Sequence, residues 1–308
     1  MKTAGLWNDA RFAMRGLFRA PAFTVIMVGT LALGIGATTA IFSVVNGVLL
    51  KPLPFEDADE LIGVGMFPRL TGISSLSTAQ YFTYRDENRV FEDIGFWDDR
   101  QVSVTGVAEP EQLSAILVTA GLLPLLRVQP VIGRRFTEED DSPDSPETVM
   151  LSHAYWQRQF GADPGVVGST LRVDGRPREI LGVLPPQLTL PWQETAIYLP
   201  YQLDQAEAYF GGLTHQAIAR LLPGATIEQA DADVERMMPM SVEQFYFPGR
   251  MTLGMFEDRD WAAHLRPLKQ DYVGDTGNVL WVLLGTVGIV LLIACANVAN
   301  LFLVDCNS

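Results

Sequence analysis

Two long uncharged stretches, one near each end, constrain the fold of this chain most strongly. No Asp, Glu, Lys or Arg occurs from residue 20 to residue 50 or from residue 276 to residue 304. A helix needs about 20 mostly apolar residues to cross a bilayer, and both stretches are long enough. The sequence therefore predicts membrane-spanning helices at 21–50 and 276–304, with residues 51–275 together on one side of the lipid bilayer.

The segment between the two stretches has the composition of a soluble, strongly acidic domain. It holds 34 Asp or Glu residues against 18 Lys or Arg residues, in a chain of net charge −14. Such a domain repels nucleic-acid phosphates and anionic lipid headgroups. Both cysteines, Cys295 and Cys306, lie outside it. We therefore expect residues 51–275 to fold without disulfides, to stand off the membrane and to bind no nucleic acid.

Basic residues before the first stretch predict the orientation of the chain. Residues 1–20 contain four of them, Lys2, Arg11, Arg15 and Arg19. Positive charges next to a span favour the cytoplasmic side. This bias predicts a cytoplasmic N-terminus in a bacterial inner membrane, a periplasmic domain and a cytoplasmic stub at 305–308. Residues 1–20 are predicted to form an amphipathic helix, in which Arg11 and Arg15 either contact a cytoplasmic partner or anchor the helix at the membrane surface.

Small and polar residues within the two predicted spans indicate where helices pack. Gly34 and Gly36 lie in the first span, and small residues let helices approach closely in lipid. Asn297 and Asn300 lie three residues apart in the second span, and an amide that faces lipid is costly. We expect these four residues to mediate helix packing; a role of the two amides in a transport path is the alternative.

The middle of the chain alternates short apolar runs with capped helices. This pattern predicts an α+β extracytoplasmic domain with mixed, mostly antiparallel strands. Helices are expected after the N-cap residues Ser77, Ser152 and Thr226, and a hairpin turn at Asp174-Gly175. The predicted strands are 60–66, 101–105, 112–119, 148–151, 170–173, 178–183, 217–222 and 265–268.

Motifs for catalysis are missing from the sequence. His153, His215 and His264 are far apart, and no nucleophile elbow, zinc-protease motif or phosphate-binding loop occurs. The acidic stretch 137–147 lacks the spacing of a calcium loop and is predicted to be a solvated loop. We therefore expect a non-catalytic protein without cofactor or metal.

Five segments, in order along the chain, resemble the MacB/FtsX-like ABC transporter permeases, in particular the acidobacterial duplicated orphan permeases. They are TLALGIGATTAIFSVVNGVLLKPLPF (30–55), RVFEDIGFW (89–97), RVQPVIGRRF (127–136), LSHAYWQRQFGADPGVVGSTLRVDGRPREILGVLP (151–185) and VLLIACANVANLFLV (290–304). The resemblance implies a MacB-like periplasmic core domain with two lobes, one built from both membrane-proximal ends and one inserted.

The resemblance also implies a function and partners. It implies the permease subunit of an ABC exporter-like complex, in which a separate ABC ATPase subunit hydrolyses ATP and the spans move the periplasmic domain. A second permease copy and a periplasmic adaptor are further implied partners. Family members continue beyond the second span with further spans, whereas this sequence ends at Ser308. We therefore expect a chain truncated after its second span.

Other classes of protein share this arrangement of two spans around an extracytoplasmic domain. The main alternative is a two-span periplasmic sensor or receptor, or an anchored interaction protein without transport activity. A hydrolase anchored at both ends is disfavoured by the missing catalytic motifs.

Overall fold

The computed structural model describes residues 21–66, 75–107, 109–188, 195–212, 214–245, 263–274 and 276–305. The chain forms two compact units. The helical unit comprises the described residues up to Lys51 and from Val273 onward, and the sheet unit runs from Pro52 to Tyr272.

Helices and strands alternate in the described residues. The helices are α1 (Pro21–Val45, continued by a π-helical turn, Asn46–Leu50), α2 (Thr78–Glu87), α3 (Leu122–Leu125), α4 (His153–Phe160), α5 (Ile227–Gln244), α6 (Leu268–Val273) and α7 (Thr276–Asp305). The strands are β1 (Leu61–Met66), β2 (Phe91–Thr105), β3 (Glu111–Val118), β4 (Ile132–Gly133), β5 (Thr148–Leu151), β6 (Thr170–Val173), β7 (Arg176–Val183), β8 (Ile197–Pro200), β9 (Gln216–Leu221) and β10 (Ala263–Pro267). Short 3-10 turns occur at Ala58–Glu60, Pro164–Val166 and Gln205–Glu207.

The helical unit consists of the two long helices α1 and α7. Both are long and apolar enough to cross a membrane, over Val28–Val45 and Gly277–Asn297. Large apolar side chains such as Leu33 and Leu292 are exposed on this unit, as is usual for surfaces that face lipid. The two helices coincide with the uncharged stretches from which spans are predicted.

The sheet unit is built on one mixed sheet of ten described strands, in the order β10-β1-β9-β2-β3-β8-β5-β7-β4, with β6 paired to β2 and β7. Most pairs are antiparallel, and the pairs β3–β8 and β5–β7 are parallel. Strand β2 is 15 residues long. Its first half pairs with β9 and its second half pairs with β3, so β2 connects the two parts of the sheet.

Separate hydrophobic cores cover the two ends of the sheet and define two lobes. The first lobe consists of the described residues within 61–96 and 201–272 and packs α2 and α5 against β1, β9 and the start of β2. The inserted lobe consists of the described residues within 97–200 and packs α4 among β3, β5, β6, β7 and β8. A third core under the middle of the sheet joins them through α3. The α+β fold flanked by two apolar helices, predicted from the sequence, is confirmed.

Local sequence signals gave the correct element boundaries where capping chemistry is strong. Ser77 and Thr226 each form a capping box with the Gln three residues on, and Ser152 caps α4, which ends at the left-handed Gly161. The β6–β7 hairpin turns through Asp174 and Gly175, both with positive φ, as a type I′ turn requires.

Several elements differ from the prediction. The strand predicted at 101–105 begins at Phe91. The last strand was predicted at 265–268 but is Ala263–Pro267, because Leu268 already begins helix α6. Helix α5 was predicted to end near Met237 but continues to Gln244 through Pro239. Its buried face extends to Ser241, and this packing outweighs the hydrogen bond that proline removes. Strands β4 and β8 are short apolar runs that the sequence pattern did not distinguish from loops.

Candidate functional site

Arg220 lies on strand β9 in the middle of the sheet, and its buried guanidinium requires hydrogen-bond acceptors. Strand β9 lies between β1 and β2, and its residues from Ala217 to Leu221 are all buried. Arg220 is fully buried and is the largest such side chain among the described residues. A guanidinium removed from water is costly unless its donors are bonded. Its partners therefore decide how stable this part of the unit is.

Acceptors from two distant segments surround the Arg220 guanidinium. Nε donates to the carbonyl of Leu125 (2.8 Å), at the end of α3. Nη1 donates to the carbonyl of Asp57 (3.0 Å) and to Oε2 of Glu60 (3.1 Å). Nη2 donates to the carbonyl of Glu56 (3.0 Å). The guanidinium thus joins β9, the end of α3 and the segment just before β1.

A second arginine reinforces the same region from the surface. Arg127 forms a short ion pair with Asp57, and its Nη1 lies 3.4 Å from Oε1 of Glu56. Its Nη2 lies 3.9 Å from the carboxylate of Glu60 and 4.0 Å from that of Glu92. The Arg127 side chain is one-third exposed, so each of these pairs is screened and weak by itself. Together they hold the segment 56–60 close to Arg127, two residues after the end of α3.

We call this assembly of 56–60, Leu125, Arg127 and Arg220 the root joint. Residue Glu56 follows the end of the helical unit, Lys51, by only a few residues, and β1 begins at Leu61. The chain that enters the sheet unit is therefore bonded through Arg220 to the central strand and to the end of α3.

A cleft of about 600 Å³ lies between the two lobes of the sheet unit. The first lobe contributes α2, Asp93 and the segment after β8, and the inserted lobe contributes Ala120, Gly121 and part of the acidic loop 137–147. On the wall formed by α2, the Arg85 guanidinium stacks over Phe82 (5.0 Å to the ring centroid) and Tyr81 (5.7 Å). The cleft thus combines aromatic, cationic and anionic groups.

Burial shifts the pKa of two carboxylates in this cleft. Burial raises the pKa of Asp93, and the backbone amide of Ile94 only partly offsets it. Burial also raises the pKa of Asp141, although this carboxylate accepts hydrogen bonds from the amides of Ala120 (2.8 Å) and Gln202 (2.7 Å). In their ionised forms, both groups favour additional positive charge in the cleft.

The acidic loop 137–147 is more ordered than the solvated loop predicted from its composition. Asp140 is buried and accepts hydrogen bonds from Nη2 of Arg134 (2.9 Å) and from the amide of Thr137 (2.8 Å). Hydrogen bonding from Arg134 is the main reason that the pKa of Asp140 falls to about 2. Asp140 and Asp141 therefore pin the loop to the sheet unit, and the prediction of a solvated loop is wrong for these two residues.

The structure separates the two glycines predicted to pack the spans. Gly34 is buried, and a Cβ added there would lie 3.0 Å from Cδ1 of Leu291 on α7. Gly36 is exposed, and a Cβ there would meet nothing within 4 Å. Two residues along a helix turn its face by about 200°, so the two glycines cannot share one contact. Only Gly34 lies at the α1–α7 contact.

Of the other predicted site residues, the structure describes the side chain of Asn297. Asn297 is exposed on the helical unit. Asn300 lies in α7, but its side chain is outside the described residues, as are Arg11 and Arg15 entirely. Within the described ranges, no group of three or more His, Cys, Asp or Glu side chains could hold a metal ion.

Sequence reasoning missed the root joint, although one signal was present. Arg220 interrupts the apolar run 217–222 that predicts a strand. An arginine within a strand buried on both faces requires buried acceptors. Its acceptors lie near residues 57 and 125, so the sequence could indicate that partners exist but not which ones they are.

The sheet unit is thus an α+β domain whose entry segment is bonded to its central strand, in a chain with two apolar helices long enough to cross a membrane. The family model described as "MacB-like periplasmic core domain" matches residues 24–237. The chain belongs to this family, and it is thereby a permease-type protein of ABC transporters, a class of generally non-catalytic subunits. None of the curated proteins matches the sequence.

Solved structures show the same fold at low sequence identity. A domain of a candidate permease protein from Porphyromonas gingivalis matches with a TM-score of 0.52 and 19% identity, over 69% of this chain and 92% of that one. The periplasmic region of MacB from Actinobacillus actinomycetemcomitans matches with a TM-score of 0.50 and 13% identity, over 76% of this chain and 98% of that one. At these identities the likeness concerns the fold.

Proposed function

We propose that this chain is a membrane subunit, or the N-terminal part of one, in a MacB/FtsX-type ABC exporter-like complex. A separate ABC ATPase hydrolyses ATP in the cytoplasm, and the resulting movement of the apolar helices is passed to the periplasmic sheet unit. In this proposal the subunit is non-catalytic and transmits a conformational change. A second permease copy and a periplasmic adaptor complete the assembly.

The root joint is the observation that carries this proposal. The segment 56–60, which follows the first apolar helix, is bonded to a fully buried side chain of the central strand. A domain that only bound a ligand would not need its entry segment fixed to the middle of its sheet. A rigid connection at this point supports a role in transmitting displacement.

The residues of the spans have packing roles in this proposal. Gly34 supports close approach of α1 and α7, whereas Gly36 and Asn297 lie on exposed surfaces of the helical unit. An amide exposed to lipid is costly, so we place Asn297, with Asn300, against a helix of another subunit or of a second copy. Arg11 and Arg15 are assigned to contact with the cytoplasmic ATPase.

The orientation of the chain is part of the proposal and has its own test. Residues 51–275 are placed in the periplasm and residues 1–20 in the cytoplasm, because the basic residues precede the first span. An alkaline phosphatase fusion after Ser142 should be active, and one at Ser308 should be inactive. The reverse pattern of activities would overturn the topology.

Transmission through the root joint can be tested on the complex purified from native membranes with a tag on this chain. We expect an ABC ATPase to co-purify. Spin labels at Glu109 in the inserted lobe and Glu243 in the first lobe, after replacing the native cysteines, should report an ATP-dependent change in distance. Arg220→Met should reduce this change while ATP hydrolysis continues, and Arg176→Met, which removes an exposed ion pair, should leave it intact.

Two outcomes would contradict the proposal. A chain that purifies without any ABC ATPase, from membranes in which it is abundant, would remove the motor on which the mechanism depends. An Arg220→Met variant that remains folded and shows the full ATP-dependent change in distance would show that displacement does not pass through the root joint.

A further inference from the structure

We propose that the inter-lobe cleft of the sheet unit binds a small organic cation, an amine or guanidinium carried on an aromatic or aliphatic body. The cleft volume of about 600 Å³ is in the range of small-molecule pockets. Its walls come from both lobes, and junctions of this kind are frequent places for ligand sites. This inference does not depend on the proposed transport function.

The balance of charge in the cleft favours a cation. Four carboxylates line it, those of Asp93, Glu138, Asp141 and Asp204, against the single guanidinium of Arg85. Arg85 itself donates through Nε to Asp86 (2.8 Å), which is not part of the lining. In the part of the chain that the structure describes, none of the four carboxylates forms an ion pair. The cleft therefore carries an excess of negative charge, four carboxylates against one guanidinium.

Asp93 is the carboxylate best placed to bind the charged group. It lies in the floor of the cleft, where a Cβ on Gly121 would come 2.8 Å from its Oδ2. Its hydrogen bond from the amide of Ile94 is local. Burial is the largest cause of its raised pKa; the charge of Arg85 lowers this pKa, and repulsion from Glu92 and Glu138 raises it. Asp141, by contrast, already accepts bonds from two backbone amides. An ammonium or guanidinium between Asp93 and Glu138 would relieve their repulsion.

The aromatic wall gives the cleft affinity for the rest of such a ligand. Phe82 and Tyr81 already hold the Arg85 guanidinium over their faces, so this wall is shown to accept a planar cation. Leu203 and Pro143 provide apolar surface beside it. Arg85 is thus a resident cation that competes with an incoming one, and its positive charge opposes the ligand. Removing Asp93 and removing Arg85 should therefore act in opposite directions.

The experiment measures binding of benzylguanidinium to the full chain in nonionic detergent by isothermal titration calorimetry, with empty micelles as the blank. Benzylurea, which has a similar shape but no charge, is the ligand control. We expect Asp93→Asn to weaken binding about tenfold, as for a partly screened charge pair, and Arg85→Gln to strengthen it about threefold. Glu109→Gln makes the same charge change at the far end of the β2–β3 hairpin and should leave affinity unchanged.

Several results would overturn this inference. Binding of benzylurea as tight as that of benzylguanidinium would show that charge is not recognised. Equal weakening by Asp93→Asn and Glu109→Gln would show that only the net charge of the domain matters. Absence of any binding above the micelle blank would remove the site. If the thermal melt of Asp93→Asn shows that this variant is unfolded, weaker binding of benzylguanidinium to Arg85→Gln than to the wild type would be sufficient to refute the inference.

Discussion

Replacement of Arg220 by methionine is the sharpest test of how the sheet unit is held together. The substitution keeps a long side chain but removes the donor to the carbonyls of Glu56 and Leu125 and to Oε2 of Glu60, whereas the carbonyl of Asp57 still accepts from the amide of Glu60 (3.0 Å). Each buried acceptor left unpaired costs about 1–3 kcal/mol, and Glu60 is one-third exposed and can recover water. We therefore expect a loss of about 3–5 kcal/mol, as for other buried charges whose network is broken.

The assay is thermal and urea unfolding of the full chain in detergent, followed by the fluorescence of the buried Trp97 and Trp156. For a unit of this size the expected loss lowers the Tm by about 10 °C. Arg176→Met is the matched control, because its partner Glu147 is 2.8 Å away but the Arg176 side chain is 71% exposed. The control should cost less than about 1 kcal/mol. Equal losses in the two variants would refute the assignment of Arg220 as a structural centre.

Three further predictions concern the loop, the spans and catalysis. Asp140→Asn should destabilise the sheet unit by about 2 kcal/mol at pH 7. The folded-state pKa of Asp140 is depressed to about 2, mainly by Arg134, so this stabilisation is present above pH 4 and is lost as the pH falls towards 2. The difference in free energy of unfolding between the wild type and Asp140→Asn should therefore be smaller at pH 3 than at pH 7. An equal difference at the two pH values would contradict the prediction. Gly34→Leu should separate α1 from α7 more than Gly36→Leu, because only Gly34 faces Leu291; cysteine cross-linking between the helices measures this, and equal effects would contradict the packing. The purified chain alone should not hydrolyse ATP, because it has no phosphate-binding loop; a rate above the detergent blank that persists after a second purification step would show otherwise.

Sequence reasoning succeeded where the determining interaction is local. The capping boxes at Ser77 and Thr226 and the turn at Asp174-Gly175 involve residues within a few positions, and all three were predicted correctly. The uncharged stretches likewise revealed the apolar helices by length alone. These features account for the class of the fold and for most element boundaries.

The rest depended on contacts between residues far apart in the chain. Arg220 meets carbonyls that are 95 and 163 residues away, so its role follows only from the sheet order. The inter-lobe cleft brings α2 and the acidic loop together for the same reason. Strand β8 is four residues long and pairs in parallel with β3, which no local pattern specifies. The candidate site could not be predicted from sequence because its contacts depend on the order of the strands, which local residue preferences do not specify.

The register of β1 and β10 has a consequence for how the sheet bears tension. The two strands are antiparallel, with Ile62 opposite Pro267, so the chain enters β1 and leaves β10 at the same end of the pair. Tension that separated these two ends would load their hydrogen bonds one at a time, which is the weakest direction for a ladder. The bonds from Arg220 to 56–60 precede the ladder on the β1 side. We therefore expect that tension applied at 56–60 would pass through Arg220 to β9 before it separates β1 from β10.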